Sequence, residues 1–185
     1  GIEASYEAFL ADFSRHLNAN PFLLGGRPCI ADFAFIGPLY AHLLRDPKSG
    51  ELMERRAPAV AEWTRNTHAG AVNVTELPGD DSVPETLLPI LRRQMREQLP
   101  ALEATAALYA DWAAEATPGS LLPRAFGPMT VNIEGHLGPA AARSFPLFRL
   151  QAALDAYEAM DAAAKMHADT LLHLTGGEAL KAFRL

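Results

Sequence analysis

The fold is decided by the stretch Pro28-Cys29-Ile30-Ala31-Asp32-Phe33-Ala34-Phe35-Ile36-Gly37-Pro38-Leu39-Tyr40-Ala41-His42-Leu43-Leu44. No formal charge follows Asp32 until Arg45, and apolar side chains fall on every side of the projected helix. A helix that is apolar all round is typical of the middle of a domain, where it packs on several sides. Residues 29–44 are therefore predicted to form a buried central helix, with a kink or a break where Pro38 removes a backbone hydrogen bond.

The first turn of this helix carries a capping pattern. Cys29 falls at the N-cap and Asp32 three residues later, where a carboxylate reaches back to the N-cap N–H. We expect both residues to form a structural cap. The alternatives are a catalytic carboxylate for Asp32 and a nucleophilic thiol for Cys29, since a helix N-terminus lowers thiol pKa values. A thiol is a weak acceptor, so Cys29 is expected to weaken one half of the cap.

Residues 21–33 resemble the core signature of the glutathione transferase C-terminal domain. In that family a phenylalanine-leucine-x-glycine turn leads into Ser/Thr-x-Ala-Asp, which Ala31 and Asp32 match while Cys29 replaces the Ser or Thr. Residues 57–63 resemble the family's next helix through a proline-x-valine-x-x-tryptophan pattern. This resemblance covers about residues 3–68 and implies a bundle of helices around the central one.

The C-terminal part is similar, more loosely, to the tail of a bacterial subgroup of glutathione transferase-like proteins. The match over 135–177 rests on Arg143, Phe145-Pro146, Gln151, Leu154-Asp155-x-Tyr157 and Gly176-Gly177. The predicted fold class is all-α, a glutathione transferase C-terminal-like bundle with an extended helical C-terminal tail. The predicted organisation is one domain over 1–185, with 3–68 as the signature part and 84–185 as the subgroup extension.

Hydrophobic periodicity and caps place the other elements. Helices are predicted over 3–18, 51–56, 84–113, 144–160 and 162–174, with another beginning at Pro58, and Pro100 is expected to kink or divide its helix at Leu99. Asp161 is predicted to cap the helix that follows it, and Thr175 with Glu178 to form a capping box before a last short helix. Residues 69–83, including Pro78-Gly79-Asp80-Asp81-Ser82, are predicted to be a polar loop. Residues 118–143 are predicted to be a long irregular connection with one extended segment near 129–134.

Composition limits the partners and the compartment. The 185 residues carry a net charge of −6, which disfavours a nucleic-acid surface. No apolar run approaches the ~18 residues of a membrane span, and no secretory leader is evident. One cysteine excludes an internal disulfide and makes a cytoplasmic location the default expectation. The start at Gly1, without Met and inside a helical pattern, suggests a fragment or a processed chain.

No residue pattern indicates a catalytic site or a metal site. The six histidines lack the spacing of a zinc motif, and no Gly-x-Ser-x-Gly elbow occurs. Candidate ligand-binding residues are His136, Arg143 and Arg149, which with Glu134 could bind a carboxylate such as those of glutathione. The favoured alternative is that Arg143 tethers the long 118–143 connection.

The resemblance implies a function for the complete protein. It would conjugate or reduce a small hydrophobic electrophile with glutathione, as a glutathione transferase does, and act as a homodimer. The main glutathione site would lie in a thioredoxin-like half that residues 1–185 do not contain, so this chain alone is not expected to be catalytic. It would supply the wall of the electrophile pocket and part of the dimer contact. Two alternatives are a non-catalytic protein-interaction module and a stand-alone apolar-ligand binder.

Overall fold

The computed structural model describes residues 1–77, 79 and 82–183, and most of them are helical. The elements are α1 (Ile2–Leu17), α2 (Ile30–Pro38), α3 (Pro47–Arg56), α4 (Pro58–Ala69), α5 (Leu88–Glu115), β1 (Ala125–Ile133), β2 (His136–Arg143), α6 (Ser144–Ala159) and α7 (Ala162–Thr175). A π-helical segment, Leu39–Leu44, follows α2, and 3₁₀ segments cover Glu85–Leu87 and Glu178–Ala182. The predicted polar loop at 69–83 is non-helical after Gly70 as far as Leu77, and its Pro78, Asp80 and Asp81 lie outside the described residues.

The chain divides into two compact units where the sequence predicted one domain in two parts. The N-terminal unit is Ile2–Ile90, and the C-terminal unit is Leu91–Leu185 together with Gly1. The division falls inside α5 and not in the 69–83 loop.

An aromatic and aliphatic core holds the N-terminal unit together. The apolar stripe of α1 turns Leu10 and Phe13 inward, and both are fully buried. The Phe13 ring meets Trp63 of α4 edge-on, with 5.1 Å between the ring centroids. Met53 of α3 and Val60 of α4 are also fully buried. The helices predicted over 3–18, over 51–56 and from Pro58 are confirmed, since these residues lie in α1, α3 and α4 apart from the last position of the first range.

The predicted burial of the central helix on every side is wrong for the described residues. Within α2, Ile30 is 80% exposed and Phe33 is 60% exposed, and only Asp32 is buried. The next buried residue is Leu39, in the π-helical segment. An uncharged helix face can be buried without desolvating a charge. Whether it is buried depends on whether another element packs against it. We call the side that carries Ile30 and Phe33 the exposed α2 face.

The two prolines inside helices have different consequences. After Pro38 the backbone stays helical, with Leu39 at φ −64° and ψ −47°, but the hydrogen bonding widens to the π pattern over Leu39–Leu44. Proline has no N–H to donate to the carbonyl of Ala34, so the ladder is interrupted there. By contrast, α5 runs as a 28-residue helix through Pro100. Of the two predicted outcomes, division at Leu99 is therefore wrong, and a kink at Pro100 stays a prediction.

The described residues are mostly helical, as the predicted all-α class implies, and the C-terminal unit adds one small β-hairpin. The hairpin replaces the irregular connection predicted at 118–143, and the extended segment predicted near 129–134 lies largely within β1. Strands β1 and β2 pair antiparallel, with Ile133 opposite His136 and Val131 opposite Gly138. The two residues between the strands, Glu134 and Gly135, have φ of 49° and 82°. Positive φ at both positions is what a two-residue hairpin turn of matching twist requires.

Two predicted helix caps have opposite outcomes. The Asp161 carboxylate accepts a hydrogen bond from the Ala164 N–H at 2.8 Å, which confirms it as the N-cap of α7. The predicted capping box at Thr175 is wrong, because Thr175 is the last residue of α7 and its hydroxyl donates to the Leu171 carbonyl. The Glu178 carboxylate instead bonds Nδ1 of His173, and Gly177 precedes the 3₁₀ segment.

Candidate functional site

Asp32 is the buried polar centre of the N-terminal unit. Its Oδ2 accepts the Cys29 N–H at 2.8 Å, and its Oδ1 accepts the Leu23 N–H at 2.9 Å. The residue is 0% exposed. The first bond caps α2, and the second holds the preceding turn nine residues back along the chain. A carboxylate with both oxygens bonded to backbone amides has a structural role, as its place at N3 of the helix predicts.

Side chains from α1 and α4 fix the same turn from two other directions. Nε2 of His16 lies 3.0 Å from the Phe22 carbonyl, and Nε1 of Trp63 donates to the Pro21 carbonyl at 2.9 Å. The second ring nitrogen of His16 lies 2.9 Å from the hydroxyl of Thr86. We call residues 21–25, which precede α2, the signature turn. It is held by three side chains from three helices: His16 of α1, Asp32 of α2 and Trp63 of α4.

His16 was not among the residues predicted from the sequence. It is fully buried, and desolvation lowers its pKa, while the hydrogen bond to the Phe22 carbonyl and the Asp32 charge act in the opposite direction. A neutral imidazole satisfies this geometry by donating from Nε2 to Phe22 and accepting the Thr86 hydroxyl at Nδ1. The available signal was its position three residues after Phe13, on the apolar stripe of α1.

The environment of Cys29 does not favour a nucleophilic thiolate. Burial raises the pKa of the thiol, and the hydrogen bond with the Asp32 side chain acts in the same direction. The backbone amides of Ala31 and Asp32 lower it, but by less. The reciprocal geometry of a capping box is present between Cys29 and Asp32. Cys29 is therefore the N-cap residue of α2, without the activation that a reactive cysteine needs.

In the C-terminal unit, Glu134 at the hairpin turn is bound by two arginines of α5. Its Oε1 lies 2.5 Å from Nη1 of Arg93 and 2.6 Å from Nη2 of Arg96. Desolvation acts to raise the pKa of Glu134, but the arginines, Arg96 foremost, hold it below the ordinary value. Burial raises the pKa of neighbouring Glu97, and the hydrogen bond and charge of Glu134 add to that shift. The tether of the 118–143 segment is thus Glu134 with α5, in place of the predicted Arg143.

The predicted ligand-binding residues are not brought together. His136 begins β2 and Arg143 ends it, so at roughly 3.3 Å per residue about 23 Å of strand separates them. Arg143 and Arg149 are both exposed. The His136 ring lies against Gly1, where an added Cβ would be 2.8 Å from Cδ2 of the ring. These residues do not form a common carboxylate site, and ligand binding by any one of them stays a prediction.

Tyr157, one of the residues in the resemblance over 135–177, connects the last helices of the C-terminal unit. The Tyr157 hydroxyl and the Lys181 ammonium group both donate to Oδ1 of Asp169, each at 2.8 Å. The Gln151 amide donates to Asp155 one turn later, at 2.6 Å. The Gln151 bond lies within α6, whereas the two bonds to Asp169 join α6, α7 and the final 3₁₀ segment, which gives Tyr157 a structural role.

Two further features are absent from the described residues. No group of three or more His, Cys, Asp or Glu side chains is arranged to hold a metal ion. None of the described helices combines the length and apolarity needed to cross a bilayer.

Comparison with protein-family models, curated proteins and solved structures gave no match to this chain. The resemblance to the glutathione transferase C-terminal domain therefore rests on the sequence motifs alone.

Proposed function

We propose that this chain is the helical half of a glutathione transferase-like protein, with the glutathione site in a thioredoxin-like half. The observation that carries the proposal is that the Asp32 carboxylate accepts two hydrogen bonds, one from the Leu23 N–H and one from the Cys29 N–H. The signature resemblance implies a capping carboxylate at this position, and the bond to Leu23 explains why the motif couples an upstream turn to the start of the helix.

The exposed α2 face supports the part of the proposal in which a second half of the protein packs against this chain. Ile30 and Phe33 offer large apolar side chains to solvent, 80% and 60% exposed, on a helix with no charge after Asp32. Exposed apolar patches of this kind mark contact surfaces. In the proposed protein this face contacts the missing half, and the chain contributes to the electrophile pocket without activating the thiol of glutathione.

A non-catalytic interaction module of the same fold is the second candidate, because it too would use the exposed α2 face. The two differ in chemistry. The enzyme retains glutathione and consumes an electrophile, whereas the module binds a partner without turnover.

The test compares the product of the complete natural gene with residues 1–185 alone, using glutathione and a generic aryl halide as the electrophile. Turnover by the complete product, none by this chain, and retention of the complete product on immobilised glutathione are expected. A complete product that neither binds glutathione nor turns over any electrophile would reject the enzyme.

A matched pair of variants connects turnover to the exposed α2 face. Phe33→Asp in the complete product is expected to lower turnover, since it places a charge in the proposed contact. Leu121→Asp, at a residue 93% exposed in the C-terminal unit, is the control and is expected to leave turnover unchanged. Equal turnover in both variants would reject the assigned contact surface.

A further inference from the structure

A cleft of about 240 Å³ lies in the C-terminal unit, beside the first turns of α6. We call it the α6 cleft. It is formed by α5, the segment that follows α5, and α6, through the residues Tyr109, Leu122, Ser144, Leu147, Phe148 and Gln151. Since an apolar cavity of about 150 Å³ holds one benzene molecule, this space is large enough for a single substituted ring.

The described residues that line the α6 cleft carry no formal charge. Three of them are polar, but Tyr109, Ser144 and Gln151 contribute only hydroxyl and amide groups. The amide nitrogen of Gln151 already donates to Asp155 at 2.6 Å. An ion that entered the cleft would lose water without meeting an opposite charge in the lining, so the lining selects an uncharged molecule.

The apolar part of the lining is only partly covered by the chain itself. Phe148 is 66% exposed and Leu122 is 51% exposed, whereas Leu147 is buried. Large apolar side chains of the cleft are therefore in contact with water. A ligand that covers Phe148 and Leu122 removes this surface from water, which favours its binding.

The Tyr109 ring of the lining is held in place by two further aromatic rings. Its centroid lies 6.2 Å from that of Trp112 and 5.5 Å from that of Phe126, and the last two are 5.8 Å apart. All three separations fall in the range of favourable aromatic pairs, about 4.5–7 Å. One aromatic wall of the cleft is thus ordered by contacts that do not depend on a ligand.

We infer that the α6 cleft binds a small uncharged aromatic molecule with one ring, of the size of benzyl alcohol. The ring packs against Phe148 and Tyr109 and covers Leu122. A ring is favoured over an aliphatic body of the same size, because aromatic pairs gain energy beyond the burial of their area. This site is independent of the proposed function, because it uses neither the exposed α2 face nor glutathione.

Four probes of similar size test this chemistry in residues 1–185. Titration with benzyl alcohol, followed by saturation-transfer NMR, is expected to show saturable binding. Benzylammonium and benzoate, which carry a charge, are expected to bind about tenfold more weakly. Cyclohexylmethanol, which lacks the aromatic ring, is expected to bind about threefold more weakly. The inference is overturned by an absence of saturable benzyl alcohol binding, or by an affinity for any of the other three that equals or exceeds it.

Phe148 and Phe145 provide a matched pair of variants on α6. Both side chains are 66% exposed, and their ring centroids are 6.4 Å apart, but of the two only Phe148 lines the cleft. Phe148→Ala is expected to weaken benzyl alcohol binding about tenfold, and Phe145→Ala to leave it unchanged. Both variants should fold, since neither side chain is buried, and a thermal melt of each checks this.

Equal affinities of the two variants for benzyl alcohol would reject the assignment of the site. A second copy of the chain is the other possible occupant of the α6 cleft. In that case the parent would sediment as a dimer, Phe148→Ala would sediment as a monomer, and benzyl alcohol would not bind to the dimer. That result would also overturn the inference.

Discussion

Replacement of Asp32 by alanine is the most informative change in the N-terminal unit. The side chain is 0% exposed and bonds two backbone amides, the Cys29 N–H at 2.8 Å and the Leu23 N–H at 2.9 Å. Asp32→Ala removes both acceptors at once and releases both the start of α2 and the turn before it. The expected result is a large loss of stability without the loss of any apolar contact.

The magnitude follows from the two orphaned amides. Each buried donor left without an acceptor costs about 1–3 kcal/mol, which gives roughly 2–6 kcal/mol for the pair. Removing the buried carboxylate also relieves its own desolvation, which offsets part of that loss. We therefore expect the free energy of unfolding to fall by about 3 kcal/mol. Asp32→Asn keeps one acceptor oxygen and is expected to lose about half as much.

Urea denaturation followed by Trp63 fluorescence, in the Trp112→Phe background, measures the N-terminal unit selectively. Asp46→Ala is the matched control, since Asp46 precedes α3 at its N-cap and its side chain makes no capping bond. Its expected cost is below about 0.5 kcal/mol. A loss below about 1 kcal/mol in Asp32→Ala, or a loss equal to that of Asp46→Ala, would refute the structural role of this carboxylate.

Three further changes test other parts of the structure. Because the buried neutral His16 has a lowered pKa, the unfolded chain binds more protons below about pH 6.5, so stability should fall as the pH decreases from there. His16→Gln should flatten that slope in denaturation series at pH 5 to 8, and an unchanged slope would contradict the assignment. Cys29→Ser should stabilise by about 0.5–1 kcal/mol, because a hydroxyl is a better capping acceptor, and an unchanged or lower denaturation midpoint counts against the cap. Gly135→Ala should destabilise the hairpin by about 1–2 kcal/mol, because its φ is 82°, whereas Gly138→Ala, which also has open space, should cost less; equal thermal melting of the two variants would refute the turn.

The sequence predicted the helices because their signals are local. The stripe of α1, the cap at Asp161 and the carboxylate at Asp32 each depend on residues within a few positions of one another. Contacts between residues that are distant in the sequence could not be predicted from these local signals. The second bond of Asp32, to Leu23, and the contact of His16 with Phe22 depend on how the signature turn folds back onto α1.

The second strand and the pairing of the hairpin escaped prediction for a physical reason, although the extended segment predicted near 129–134 lies largely within β1. Strand β2 is the sequence His136-Leu137-Gly138-Pro139-Ala140-Ala141-Ala142-Arg143, which lacks the β-branched and aromatic residues that favour strands. Its partner contains Pro128 and Gly127, and the turn is Glu-Gly and not the stronger Asn-Gly or Asp-Gly. Pairing with β1 and the ion pairs of Glu134 with Arg93 and Arg96 add non-local support that a single segment does not display. The dispersal of His136, Arg143 and Arg149 follows directly from that pairing.

The degree of burial of α2 could not be predicted either. Residues 33–44 contain no charge, but whether an apolar side is covered depends on what else packs there. Ile30 and Phe33 are exposed among the described residues, and that exposure supports the contact proposed with a second half.

The most direct measurement is therefore the rate at which a thiol at position 33 is alkylated. In a Cys29→Ser background, Phe33→Cys is labelled in residues 1–185 alone and in the product of the complete natural gene, with Leu121→Cys as the exposed reference. Rapid labelling of position 33 in the short chain, and strong protection of that position alone in the complete product, are predicted. Equal labelling of positions 33 and 121 in the complete product would contradict a second half packed on the exposed α2 face.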